Sequence, residues 1–212
     1  MTTDKVPVKR GRGRPRTFDR EAALEQATRL FWRKGYEATS MTDLTEAMGI
    51  GSPSLYAAFG SKEDLYAEAL KYYVLKFEDL VWGNFHAADT AREAVISLLE
   101  DSASALPESG EESHPPGCMV TLSTVGSEGY VRLGELVRSA RAVTLERLTS
   151  RFDQAIEKGE IPASTDVYAL ARFVQTVQNG MAVLARDGAS CTELHAVAQV
   201  ALSAWDVRCG AK

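Results

Sequence analysis

Gly49-Ile50-Gly51-Ser52-Pro53-Ser54-Leu55-Tyr56-Ala57-Ala58-Phe59-Gly60-Ser61-Lys62 is the stretch that decides how this chain folds. Gly49 to Gly51 reads as a tight turn, and Pro53 falls in the first turn of a following helix, where a missing N–H costs nothing. Leu55, Tyr56 and Phe59 ride on that short helix before Gly60 breaks it. Upstream, Ser40 and Asp43 have capping-box spacing and open a short helix through Leu44, Ala47 and Met48 that stops at Gly49. Further upstream, Asp19 caps a helix that buries Ala23, Ala27, Leu30 and Phe31 before Gly35 ends it. Two short helices joined by a glycine-containing turn have the helix-turn-helix form, whose second helix can enter the major groove of DNA. A plain helical bundle contains similar turns, so periodicity alone does not separate the two.

The chemistry at the exposed helix ends favours a phosphate-facing surface. Thr39, Ser40 and Thr42 surround one helix N-terminus, Ser52 and Ser54 the next, and Tyr56 and Lys62 follow on an outer face. Hydroxyls, helix N-terminal N–H groups and a lysine are the usual donors to phosphate. No acidic residue lies between Glu46 and Glu63, so the second helix, 52–59, is uncharged.

That neutrality stands out in an acidic chain. Of 212 residues, 45% are hydrophobic and 25% charged, with a formal net charge of −5; this is globular composition and excludes disordered, collagen-like and disulfide-scaffold classes. Residues 1–16 set Lys5, Lys9, Arg10, Arg12, Arg14 and Arg16 against Asp4 alone, a local +5, which leaves −10 on the remainder. An acidic body is repelled by phosphate, so any nucleic-acid contact must be local. Arg12-Gly13-Arg14-Pro15 matches the core of an AT-hook, and this flexible arm predicts minor-groove contacts by Arg12, Arg14 and Arg16; basic tails also occur merely as solubilising segments. Cys118, Cys191 and Cys209 form an odd set without CxxC spacing, so neither disulfide framework nor metal site is indicated. Without an apolar signal region or a run of eighteen apolar residues, the expectation is a cytoplasmic protein with no membrane association.

The rest of the chain reads as helical throughout, giving an all-α fold of about nine helices. Ser61 and Asp64 cap a fourth helix with an apolar face through Leu65, Tyr72, Phe77 and Leu80, closing near Gly83. Thr90 and Glu93 open the next, burying Val95, Leu98, Leu99 and Leu106 ahead of a Pro-, Gly- and Ser-rich loop at 107–116. A segment at 118–125 follows. A long helix then carries Leu133, Val137, Ala140, Thr144, Leu148, Phe152 and Ala155 on one stripe, stopping before Gly159. Two last helices run from about Thr165 to Arg186 and from Ser190 through Trp205.

Phe31 to Tyr36 as F-x-x-x-G-Y, the turn at 49–51, Leu55-Tyr56-Ala57-Ala58-Phe59 and Ser61-Lys62-Glu63-Asp64-Leu65 stand in an order that closely resembles the TetR family of bacterial transcription regulators. The resemblance covers about residues 17–70. After the flexible arm (1–16), it implies a helix-turn-helix head (17–66) and a larger effector-binding and dimerisation body (67–212). It assigns base contacts to Ser52, Pro53 and Ser54 and phosphate contacts to Thr39, Ser40, Thr42, Tyr56 and Lys62. Two positions depart from the family pattern: Gly51 replaces a frequent serine or threonine, and Ala58 a frequent histidine. The function implied is a repressor that binds a palindromic operator in double-stranded DNA as a homodimer and is released by a small-molecule effector; the AT-hook-like arm adds an expected preference for A·T-rich sequence. No cofactor or enzymatic activity is implied.

Candidates for the effector pocket are Trp82, Phe85, His86, Cys118, Met119, Phe173, Gln178 and Asn179, which mix aromatic and polar groups as small-molecule sites do; ordinary core packing accounts for the same residues. Ala169, Phe173, Val177 and Met181, with Val197, Ala201 and Trp205, could form a dimer interface across a two-fold axis, or could belong to the monomer core. Cys118 at a helix start could instead sense oxidants or electrophiles, since such a position favours the thiolate; a buried, inert cysteine is the alternative. An effector-independent protein that organises A·T-rich DNA is the remaining reading.

Overall fold

A computed structural model describes residues 19–107, 114–125 and 129–210. Arg12, Arg14 and Arg16 of the expected arm lie outside these residues. Among those described, nine α-helices and no strand occur: α1 (Arg20–Lys34), α2 (Met41–Met48), α3 (Ser52–Phe59), α4 (Lys62–Ala87), α5 (Ala91–Ala105), α6 (Met119–Leu122), α7 (Val131–Glu157), α8 (Val167–Arg186) and α9 (Cys191–Cys209). The all-α expectation is met.

The helix boundaries follow the capping chemistry. Asp19 accepts from the Glu21 and Ala22 amides. Ser40 with Asp43, Ser61 with Asp64, Thr90 with Glu93 and Ser190 with Glu193 form reciprocal capping boxes that satisfy otherwise orphaned donors. Gly49 adopts a left-handed φ of 65° and closes α2, which lets the chain reverse into α3 without a Cβ penalty. One boundary differs from expectation. The fourth helix runs through Gly83 to Ala87, because Trp82 and Phe85 are both buried and hold the helical turn across the glycine, whose φ is not positive. Its buried face is Leu65, Tyr66, Leu70, Tyr73 and Trp82, and Leu80 points outward at 52% exposure.

Two apolar clusters organise the molecule. One joins α1–α3 and the first half of α4 with Met119, Val120, Val125, Leu133 and Val137. The other joins the far end of α4 with α5, the second half of α7, α8 and α9, and includes a Phe152–Trp205 ring contact at 5.0 Å. Cys118 packs against both. Gly117, at φ 82°, permits a close approach: a Cβ there would lie 2.7 Å from the Ala182 carbonyl of α8. Between α8 and α1 the link is Arg186, whose guanidinium donates to the carbonyls of Pro116 at 2.9 Å, Trp32 at 2.9 Å and Arg33 at 3.3 Å. No helix of the described residues is long and apolar enough to cross a membrane.

Candidate nucleic-acid interface and effector cavity

In α3 the two faces have separate jobs. Leu55 and Phe59 are sunk in the head core at 0% and 5% exposure. Ser52, Pro53, Ser54, Tyr56 and Ala57 all face solvent. Gly51 caps α3 without a side-chain hydrogen bond, which leaves the Ser52 amide at the helix N-terminus open to an incoming anion. Burial of only Leu55 and Phe59 on an eight-residue helix means that its position depends on that pair. The helix is further steadied by Arg20, which sits 4.4 Å over the Phe59 ring and donates to the Ala58 carbonyl while pairing with Glu68.

The surrounding residues are placed unequally. Thr42 is exposed, and Ser40 is exposed with its oxygen accepting the Asp43 amide. Thr39 departs from its expected role as a phosphate donor: it is fully buried, and its hydroxyl donates to the Gly35 carbonyl at 2.6 Å, bracing the α1–α2 turn. Lys62 lies with Nζ 4.3 Å from the Tyr36 ring centre, and partial burial pulls its pKa down. The Tyr36 hydroxyl is pushed up to about 12, chiefly by burial and then by Tyr130 and Glu63. Lys62 thus presents a cation fixed at the edge of the head rather than a freely swinging one.

A cavity of about 160 Å³ opens between α4, α5, α7 and α8, at the seam of the two clusters. Tyr73, Phe77, Trp82, Leu106 and Val120 supply apolar wall; Cys118, Arg141, Gln178 and Asn179 supply polar wall. The Gln178 amide donates to Ser102 Oγ at 3.1 Å, and the Asn179 carbonyl oxygen accepts from Thr121 at 3.2 Å. Glu78 pairs with Arg147, which also lies 4.9 Å over the Trp82 ring. Against Cys118, the buried Tyr73 hydroxyl is pushed well above its ordinary range, by burial first and the neighbouring cysteine second.

Of the pocket residues expected from sequence, Trp82, Cys118, Gln178 and Asn179 line this cavity. Phe85 and His86 instead border a separate shallow hollow with Arg147 and Arg151. Met119 turns into the head core at 3% exposure, because α6 lays it against α4. Phe173 leaves the pocket set for the same geometric reason in reverse: it is 39% exposed on the outer face of α8. There it borders an apolar groove with Val177, Val197, Val200 and Ala201, and Ala169 is exposed on the same helix. Met181, Ala201 and Trp205, expected at an interface, are 0%, 6% and 2% exposed and belong to the monomer core, although Ala201 also borders the groove. Arg141 and Gln175 line the cavity without having been singled out by the sequence. Both occupy inward positions of otherwise apolar stripes, Arg141 four residues after Val137 and seven before Leu148, and a polar residue at that spacing is the signal that could have found them.

Known proteins agree with this geometry. The family described as "Bacterial regulatory proteins, tetR family" matches residues 23–69. The HTH-type transcriptional repressor ComR of Escherichia coli K12 is 38% identical over 210 residues, covering 97% of this chain and 98% of ComR. BdcR, another HTH-type transcriptional repressor of that strain, is 29% identical over 195 residues, 89% of this chain and 90% of its own. Among solved structures, a cysteine mutant of the TetR family transcriptional regulator CifR, complexed with 26-bp double-strand operator DNA, superposes with a TM-score of 0.83 at 38% identity over 91% of this chain and 100% of that one. With a helix-turn-helix head matched in place and a relative aligned along almost its entire length, the chain belongs to the TetR family of bacterial transcriptional regulators.

Proposed function

We propose that this protein is a cytoplasmic transcriptional repressor that binds a palindromic operator in double-stranded DNA as a homodimer and is released by a small molecule entering the α4–α5–α7–α8 cavity. The observation that carries the reading is α3 itself: an uncharged helix that buries Leu55 and Phe59 and turns Ser52, Pro53, Ser54 and Tyr56 outward, in an otherwise acidic protein. Ser52, Pro53 and Ser54 are assigned to base edges, and Ser40, Thr42, Tyr56, Lys62 and the Ser52 amide to phosphates. The arm residues Arg12, Arg14 and Arg16 add minor-groove contacts. One head reads a half-site, so two heads about 34–36 Å apart are needed for a palindrome; the surface groove of Phe173, Val177, Val197 and Ala201 provides the face for the second copy. The repressor names of ComR and BdcR and the operator complex of CifR support the same assignment.

Release follows from shared structure. Tyr73 and Phe77 of the cavity wall contact Trp32 of α1 at ring distances of 4.7 and 5.2 Å, and α4 carries both this wall and Lys62. A ligand that binds better to a shifted α4 moves the heads out of register; going from 1:99 to 99:1 takes about 5.5 kcal/mol of differential affinity. Sequencing genomic fragments retained by the purified protein tests the reading. A few palindromic sites are expected, whereas diffuse A·T-rich coverage would favour an architectural role and no retention at low salt would end both.

A thiol-sensing form of this regulation draws on the place of Cys118 in the cavity wall, between the two apolar clusters. Unchanged oxidant- or electrophile-driven release in Cys118→Ser would remove it.

A further inference from the structure

Among the described residues, the cavity wall contains one cation that no acid answers. Glu78 is committed to Arg147, so those two charges cancel. Arg141, the remaining charged residue of the wall, donates through Nε to the Val120 carbonyl at 3.0 Å and through Nη2 to the Thr121 and Ser123 carbonyls. These three bonds anchor the guanidinium against α6 but leave its full charge in place, since carbonyls are dipoles and not ions. Among the described residues Nη1 has no protein partner, and it is not among the side-chain atoms sealed from solvent, of which Trp32 Nε1 alone lacks a partner. Beside it, each side-chain amide of Gln178 and Asn179 spends one end on a hydroxyl, Ser102 or Thr121, and keeps the other. The rest of the wall is mostly aromatic and aliphatic, with Phe77 and Tyr73 among it.

The geometry points to a small aromatic monocarboxylate as the ligand of this cavity, its ring against Phe77 and Tyr73 and its carboxylate on Arg141 Nη1 and the Asn179 amide. The inference rests on the effector role proposed above and specifies its chemistry. Size is compatible: a volume of about 160 Å³ is close to the roughly 150 Å³ cavity that holds a benzene ring in another protein, so one ring with a short acidic arm fits. Charge sets the class. A partly buried guanidinium in a largely apolar wall is poorly solvated, and a carboxylate supplies both the opposite charge and a planar pair of acceptors. A cationic ligand would place like charges together, and a neutral amide would leave Arg141 uncompensated.

Benzoate and benzamide, which match in shape and differ in charge, are the probes. Titration of the full-length protein with each, followed by tryptophan fluorescence and thermal shift, should show benzoate binding at least tenfold more tightly. Arg141→Gln should erase most of that preference, and Asn179→Leu, which leaves the Arg141 carbonyl bonds intact, should weaken benzoate severalfold. Equal or tighter binding of benzamide, or no binding of either at millimolar concentration, overturns the inference even if Arg141→Gln fails to fold. A benzoate preference that Asn179→Leu does not alter places the acid elsewhere and overturns it too. Operator retention is read in parallel. Benzoate bound without loss of DNA keeps the ligand class and removes the effector role, whereas release by benzamide alone keeps the effector role and removes the class.

Discussion

The outward face of the head is written in one short run of chain, Ser40 through Lys62, while the cavity wall gathers Tyr73 from α4, Ser102 from α5, Cys118 from the approach to α6, Arg141 from α7 and Asn179 from α8. The two regions are also fixed by different forces. Helices α2 and α4 start at reciprocal capping boxes, and α3 is held by Leu55 and Phe59 sunk into the head cluster and by Arg20, so the placement of the outward face depends mainly on local bonds and that pair. The cavity exists because long-range contacts hold helices apart and together at once: Gly117 against α8, Arg141 under α6, and Arg186 reaching from α8 to the end of α1. A locally built surface can be redesigned residue by residue, whereas a seam between two cores responds as a unit. That is the property a switch needs.

Leu55→Ala puts this contrast to its hardest test. The side chain is fully buried in the head, so a loss of about 2–5 kcal/mol is expected from the transfer and cavity terms together. Chemical denaturation should show it, with DNA binding lost while the homodimer, which we propose forms through α8–α9, persists. A dimer that dissociates equally would mean that the two regions do not separate.

Next in size is Arg186→Ala. It removes hydrogen bonds to Pro116, Trp32 and Arg33, three main-chain acceptors joining body and head. Charged hydrogen bonds of this kind are worth about 1.5–3 kcal/mol, so a loss of that order is expected. Hydrogen exchange at the α1 C-terminus should rise, and effector-driven release should weaken relative to DNA affinity. Protection unchanged at α1 would show that Arg186 does not couple the regions.

Acid should act on the head caps. The Asp43 carboxyl is lowered to about 2, first by the Ser40 amide and then by Lys34, and Asp64 is lowered to about 2, first by the Ser61 hydroxyl and then by Arg132. Both folded values lie below the unfolded value of about 3.9, so their stabilising effect is complete above that pH and is lost as pH falls toward 2. Melting temperature should therefore drop between about pH 4 and pH 2, with a smaller drop in the Asp43→Asn, Asp64→Asn double variant. Equal slopes in the two proteins would show that acid sensitivity arises elsewhere.

The smallest effect concerns Lys62. Replacing it by alanine should weaken binding to all duplexes alike and reduce the magnitude of the log K against log salt slope by about 0.9 per head. Anisotropy titrations at several salt concentrations measure this; an unchanged slope would mean that its place over Tyr36 keeps it from phosphate.

Local spacing along the chain is enough to set the all-helical class, the capping boxes, the turn at Gly49 and the outward chemistry of α3, because i to i+3 and i+4 periodicity and cap identity are properties of neighbouring residues. Which side of an apolar stripe meets another helix emerges only when the helices pack. Packing sent Thr39, Met119, Met181 and Trp205 inward, set Phe173 on the surface, and drew Arg141 into the cavity. Burial of a given residue depends on partners tens of positions away, and periodicity carries the phase of a helix but not the identity of what packs against it.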